Sequence, residues 1–201
     1  MAEGEDLVVA AEAAGIEAAE LLVAGENVDA ELLSEVSTLG HPARVIGVFR
    51  RDELPRGPVP DVGLALWRVA DPGNVGTLIR TADGLGPAFV ALSAGSADPT
   101  GPKALRASMG ALFRVPLVPF DEVPGRRVAL VAHDGLAPAE LDLSGPTTFV
   151  LGAEREGLPD EVLAACDLRM TIPLAGGAES LNVAMAGTIA LYERARRKAG
   201  V

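Results

Sequence analysis

Aromatic side chains make up only 3% of the 201 residues, so the core must be built mainly from Ala, Val and Leu. Cysteine is nearly absent. Cys166 stands alone and cannot form an internal disulfide, and His41 and His133 are the only histidines. That is poor material for zinc, so the sequence predicts no metal. No apolar run reaches the ~20 residues of a membrane span, and the N-terminus lacks the basic-then-apolar order of a secretory signal. These absences predict a soluble, cytoplasmic protein with no membrane partner.

Basic residues are missing from the first 40 positions, which carry ten acidic side chains and no Lys or Arg and so hold −10 of the −11 net charge. The other 161 residues are nearly balanced, 17 basic against 18 acidic. This leaves room for the local basic face that phosphate binding requires, and Arg44, Arg50, Arg51 and Arg56 follow directly on the acidic block. The alternative is a solvated acidic surface with scattered arginines.

Against these absences, 49% of the chain is hydrophobic and 22% charged, enough for one full core or a core plus a smaller lobe. Residues 6–37 read as Ala-rich helix, broken at Gly15 and around Gly25 and Asn27, with short strands at 21–23 and 44–50. A run of Pro55, Gly57, Pro58 and Pro60 blocks regular structure. The expected division is therefore a small acidic α/β lobe at 1–54, a linker at 55–60 and a main domain at 61–201. In the latter, strands are expected at 62–70, 89–93, 114–118, 128–133, 148–151 and 168–172, with a helix at 160–166. Nearly continuous apolar runs such as 128–132 belong to strands covered on both faces, hence a mostly parallel α/β sheet with helices on both faces. Such sheets bind ligands at the carboxyl ends of their strands.

Three expected loops at that edge carry chemistry. The first runs Asp71, Pro72, Gly73, Asn74 and leads into a helix expected to begin near Asn74. That helix carries Arg80 among the apolar Val75, Leu78, Ile79 and Ala82, where a guanidinium wants a carboxylate or phosphate partner. A surface pair with Asp83 is the other reading. The second loop is Gly152-Ala153-Glu154-Arg155-Glu156-Gly157-Leu158. Its spacing departs from a dinucleotide fingerprint and places an acid where pyrophosphate would be repelled, which suits a neutral or cationic cofactor. The third runs from Ile172, Pro173 and Leu174 through Gly176 and Gly177 to Ser180, Leu181 and Asn182, with Ser180 in the place of an N-cap and a buried helix beyond it.

Asn74 with Arg80 six residues on, then Gly152, Glu154, Gly157 and Leu158, then Ile172-Pro173-Leu174 and Ser180-Leu181-Asn182-Val183, with Leu191-Tyr192-Glu193 near the end, resemble in order the motifs of the SpoU (TrmH-type) family of RNA ribose 2′-O-methyltransferases. The resemblance covers about two-thirds of the chain, and the segment Arg106-Ala107-Ser108-Met109-Gly110-Ala111 shares it. It implies a SPOUT fold whose C-terminal part forms a trefoil knot, S-adenosylmethionine as cofactor, and a homodimer. Cofactor contacts fall on Leu151, Gly152, Gly157, Ile172, Leu174 and Leu181, largely through backbone groups. The catalytic set is Arg80, which acts on the attacking hydroxyl and a substrate phosphate, with Asn74, Glu154, Ser180 and Asn182 orienting it, the loops and the ribose. The front lobe is similar to the later part of a small RNA-binding domain, without the basic segment that usually opens it. The resemblance implies methylation of ribosomal RNA, with transfer RNA, or a non-catalytic RNA-binding or assembly protein, as alternatives. Ala184, Ala186 and Gly187 on the final helix are candidates for the dimer contact, as they are for packing within one chain.

Overall fold

The computed structural model describes residues 1–41 and 43–200. The chain begins with β1 (Ala2–Glu3), α1 (Glu5–Ala13), β2 (Glu20–Val23), α2 (Ala30–Val36) and β3 (Val45–Val48). β3 lies between β1 and β2 in an antiparallel sheet. β1 is unexpected from sequence, since two residues become a strand only through pairing with Gly47 and Ile46 more than 40 positions away.

The main sheet follows: β4 (Val62–Leu66), α3 (Pro72–Gly84), β5 (Phe89–Leu92), α4 (Pro102–Ser108), β6 (Leu117–Pro119), β7 (Arg126–Leu130), β8 (Thr147–Leu151), α5 (Asp160–Ala164), β9 (Leu168–Met170) and α6 (Val183–Ala199). Its order is β6-β5-β4-β8-β7-β9 with every pair parallel. All six strand ends therefore open on one edge. The period-2 alternation of β4 divides the core: Leu64 and Leu66 pack with Leu78, Ile79 and Leu191 of α3 and α6, whereas Ala65 packs with Phe89, Val150, Phe120 and Val162 on the other face. Helices on both faces leave the β-branched and aliphatic strands dry, as the apolar runs require.

Several expected boundaries shift. The strand expected at 62–70 stops at Leu66, because hydrogen bonds from neighbouring loops bend residues 67–70 into a turn. The strand expected at 114–118 begins at Leu117; Ala111–Phe113 form a short 3-10 turn and Arg114 points to Asp83 at 2.7 Å. β7 starts two residues early and ends at Leu130, β9 ends at Met170 and α5 at Ala164. Helix α3 begins at Pro72, capped by Asp71 Oδ1, which accepts from Asn74 N at 3.0 Å. Ser180 is not the cap of α6. Asn182 is, its Oδ1 accepting from Ala184 N at 2.9 Å and Met185 N at 3.3 Å; asparagine caps at least as well as serine.

The N-terminal sheet and α1 are seated on α4 and the 3-10 turn at Ala111–Phe113. Ala2, Leu7, Ala11 and Ile16 share a core with Leu112 and Phe113, and the Phe49 and Phe113 rings stand 5.4 Å apart. Glu3 is buried and accepts from Ser37 Oγ, Thr38 N and Thr38 Oγ1. Arg106 of α4 donates to Thr38 Oγ1 at 3.0 Å, so a basic group of the main domain closes this acidic network.

Candidate active site

The carboxyl ends of β4, β8 and β9 deliver the three loops to one place. The Glu154 carboxylate accepts from Ala70 N at 3.3 Å, Asp71 N at 3.2 Å and Asn74 Nδ2 at 3.0 Å. Asn74 Oδ1 in turn accepts from Asn182 Nδ2 at 3.1 Å, and Asn182 Oδ1 caps α6. The acceptor-only carboxylate thus sets the direction of both amides: Asn74 must present its NH₂ to Glu154 and its oxygen to Asn182, which leaves the Asn182 oxygen for the helix. Burial works to raise the Glu154 pKa, but the hydrogen bonds from the Asn74 amide and from backbone N–H groups including those of Asp71 and Ala70 outweigh it and hold the carboxyl below its ordinary range. A carboxylate so stabilised is a weak base. Its role is to tie loops together.

The Glu154 loop is itself held closed. Ala153 and Gly157 exchange hydrogen bonds of 3.1 and 2.9 Å, Gly157 has φ +67°, and a Cβ on Gly152 would stand 2.2 Å from the Gly157 carbonyl carbon. Gly152 is required by this close approach.

Beside the network lies a cleft of about 610 Å³, within the roughly 300–1,000 Å³ of small-molecule sites. Leu151, Gly152, Gly157, Ile172, Leu174 and Leu181 all line it, as do Glu154, Ser180 and Asn182. Asn74 and Arg80 do not. A fourth wall, Leu130, Val131, Ala132 and His133, was not among the residues expected from sequence. The usable signal was topological: residues 131–133 follow a strand of a parallel sheet, at the edge where ligands gather. The lining fits an adenosine bearing a cationic sulfonium. Leu130, Leu151, Ile172 and Leu181 offer apolar walls, the bent loops offer backbone groups, and Glu154 and Glu179 supply negative charge that a polyphosphate would not tolerate.

Arg80 is exposed on α3 and makes no hydrogen bond or ion pair among the described residues. The alternative partner, Asp83, is taken by Arg114 through two guanidinium nitrogens. Ser180 likewise is exposed in the cleft wall. On α6, Ala184 and Gly187 face inward: a Cβ on Gly187 would stand 2.5 Å from Leu78 Cδ2 and 3.0 Å from Leu151 Cδ2. Small residues there let α6 lie close on α3 and β8, and Thr81 Oγ1 and Thr188 Oγ1 meet at 3.0 Å. The exposed stripe of α6 is Met185, Ile189 and Tyr192. Among the described residues no cluster of three or more His, Cys, Asp or Glu side chains could hold a metal ion, and no helix is long and apolar enough to cross a membrane.

The profile of the SpoU rRNA Methylase family matches residues 61–192. The chain is 36% identical over 176 residues to a 23S rRNA (uridine(2479)-2′-O)-methyltransferase of Streptomyces viridochromogenes, covering 78% of this chain and 61% of that protein. It is 34% identical over 183 residues to an uncharacterized tRNA/rRNA methyltransferase of Synechocystis, covering 85% and 67%. The chain thus spans about three-fifths to two-thirds of these relatives. The crystal structure of the SpoU methyltransferase AviRb from Streptomyces viridochromogenes in complex with AdoMet superposes with a TM-score of 0.85 at 29% identity, covering 98% of this chain and 89% of that one. Fold and relatives together define the class, an α/β methyltransferase fold of the SpoU type. Within that class the chain belongs to the SpoU rRNA Methylase family.

Proposed function

We propose that the protein transfers the methyl group of S-adenosylmethionine to a ribose 2′-hydroxyl of ribosomal RNA. The observation that carries this reading is the Glu154–Asn74–Asn182 chain of hydrogen bonds, which joins all three motif loops at the mouth of a cleft suited to a cationic, phosphate-free cofactor. The cofactor, held by the backbone and apolar groups of Leu151, Gly152, Gly157, Ile172, Leu174 and Leu181, supplies an electrophilic methyl group. The chain's own residues have two tasks, to position the hydroxyl and to stabilise the charge that develops as its proton leaves. Arg80 performs the second. An always-protonated guanidinium cannot act as base, but its free donors can hold a substrate phosphate and the developing oxyanion. Asn74 and Asn182 hold the motif loops together at the cleft, and the Ser180 hydroxyl, exposed in the cleft wall, orients the ribose.

The working unit in this reading is a cytoplasmic homodimer, with Met185, Ile189 and Tyr192 of α6 as the contact surface in place of the buried Ala184 and Gly187. The C-terminal segment is threaded as a trefoil knot, and the lobe at 1–54 together with the linker at 55–60 positions the RNA ahead of the catalytic domain at 61–201. Ribosomal rather than transfer RNA is favoured by the name of the Streptomyces relative. Mapping 2′-O-methyl sites in all RNA from cells with and without the protein tests this: one ribosomal site should disappear. Loss of a transfer-RNA site instead would move the substrate, and loss of none would remove the activity.

A further inference from the structure

The turn that ends β4 holds a residue that neither the family motifs nor the cofactor cleft uses. Arg68 has φ +51°, a left-handed conformation that a residue with a Cβ adopts rarely and at a cost. The surrounding structure enforces it. Trp67 N donates to Leu151 O at 2.8 Å, Arg68 N to Ser93 Oγ at 2.9 Å, Ala97 N to Val69 O at 2.9 Å and Ala70 N to Glu154 Oε2 at 3.3 Å. The side chain runs over Gly95, whose own φ is +87° and on which a Cβ would stand in ordinary contact, 3.4 Å from Arg68 Nε. The guanidinium is exposed and makes no hydrogen bond or ion pair among the described residues. So the fold keeps a strained residue and holds its charge at the surface, yet gives that charge no partner among the described residues.

We infer that Arg68 binds a phosphate of the substrate RNA next to the reacting nucleotide, an inference that rests on the methyltransferase reading above. The cofactor cannot be its partner. The cleft lies at the ends of β8, β7 and β9, whereas Arg68 leans towards the loop after β5, on the far side of β4 and about 10 Å from β8 by strand spacing. An RNA strand laid along the carboxyl edge, with its reacting ribose at the cleft, passes Arg68 where the edge crosses from β4 to β5. A phosphodiester is the group there that wants two or more guanidinium donors.

The test uses the full chain, S-adenosylmethionine and in vitro transcribed 23S rRNA. Glycine adopts φ +51° freely, so Arg68→Gly should unfold at the same temperature as the parent or a few degrees higher, while its KM for RNA rises on the order of tenfold. The change should fall on KM rather than kcat, and the slope of log affinity against log salt should shrink by about 0.7, one single-strand phosphate contact. Arg68→Lys should restore the slope and part of the affinity. Arg68→Asn, neutral and also tolerant of left-handed φ, should behave as the glycine variant and guards against a folding artefact. An unchanged RNA KM and salt slope in Arg68→Gly and Arg68→Asn, beside an active parent, overturns the inference alone. A parent protein that neither binds nor methylates RNA overturns the methyltransferase reading and this inference with it.

Discussion

Asn182 donates through Nδ2 to Asn74 Oδ1 at 3.1 Å, across 108 positions of sequence, and the same Asn182 caps the last helix. The direction of the bond is set at both ends: Glu154, an ionised acceptor, claims the NH₂ of Asn74, and the first N–H groups of α6 claim the Asn182 oxygen. Asn74→Asp therefore sets two carboxylates against each other. The variant should lose several degrees of Tm at neutral pH, about 1–3 kcal/mol. Part of that loss should return near pH 4, where one of the pair takes a proton. Thermal unfolding at both pH values checks this; a penalty independent of pH would mean that Asn74 and Glu154 do not meet as described.

Helix α6 separates packing from assembly. Gly187→Arg forces a charged side chain against Leu78 and Leu151, so it should unfold the protein rather than merely dissociate it, at a cost of more than about 4 kcal/mol. Ile189→Glu and Tyr192→Glu change only the exposed stripe and should give a folded monomer. Circular dichroism with light scattering separates the two, and a monomeric parent protein would sink the proposed dimer.

Glu3 predicts an acid limit for the docked N-terminal sheet. Burial works to raise its pKa, but the bonds from Thr38 and Ser37 and the nearby Arg106 charge outweigh it and hold the carboxyl below its ordinary value. A depressed folded pKa contributes stability above the unfolded value, about 4.3 for Glu, and that stability is lost as the pH falls further. Glu3→Gln should thus be less stable than the parent at pH 7, and the difference should narrow below pH ~4. A constant difference between pH 7 and pH 3 would show that ionisation of Glu3 contributes nothing.

Much of the fold is legible in the sequence because it is dictated locally. The apolar run at 148–151 gives a strand buried on both faces, the run at 128–132 is covered only as far as Leu130, and Pro55, Pro58 and Pro60 interrupt the pattern. The three motif loops, expected at one edge of the sheet, meet there through Glu154, Asn74 and Asn182. What escapes is decided by contacts between distant segments. Residues 67–70 read as a continued strand, yet Leu151, Ser93 and Glu154 bend them. β1 exists only on β3. Ser180 and Asn182 are both good caps by type, and the choice falls to Asn182 because its amide is also fixed by Asn74. The small residues of α6 read equally well as interface or interior; Leu78 and Leu151 decide for the interior. His133 and its neighbours join the cleft through the hydrogen bond from Val131 N to Met170 O at 2.9 Å, a pairing that no local pattern announces.

In the proposed reaction an exposed Arg80, without a partner among the described residues, serves methyl transfer to a ribose hydroxyl. Its most direct test is tritium transfer from labelled S-adenosylmethionine to in vitro transcribed 23S rRNA, followed by digestion to nucleosides, for the parent and Arg80→Ala. Label is expected in a 2′-O-methylnucleoside, with a fall on the order of 10²-fold in Arg80→Ala at nearly unchanged cofactor affinity, little of it rescued by Arg80→Lys. Label on a base, no transfer to this RNA or to transfer RNA, or undiminished transfer by Arg80→Ala would contradict it.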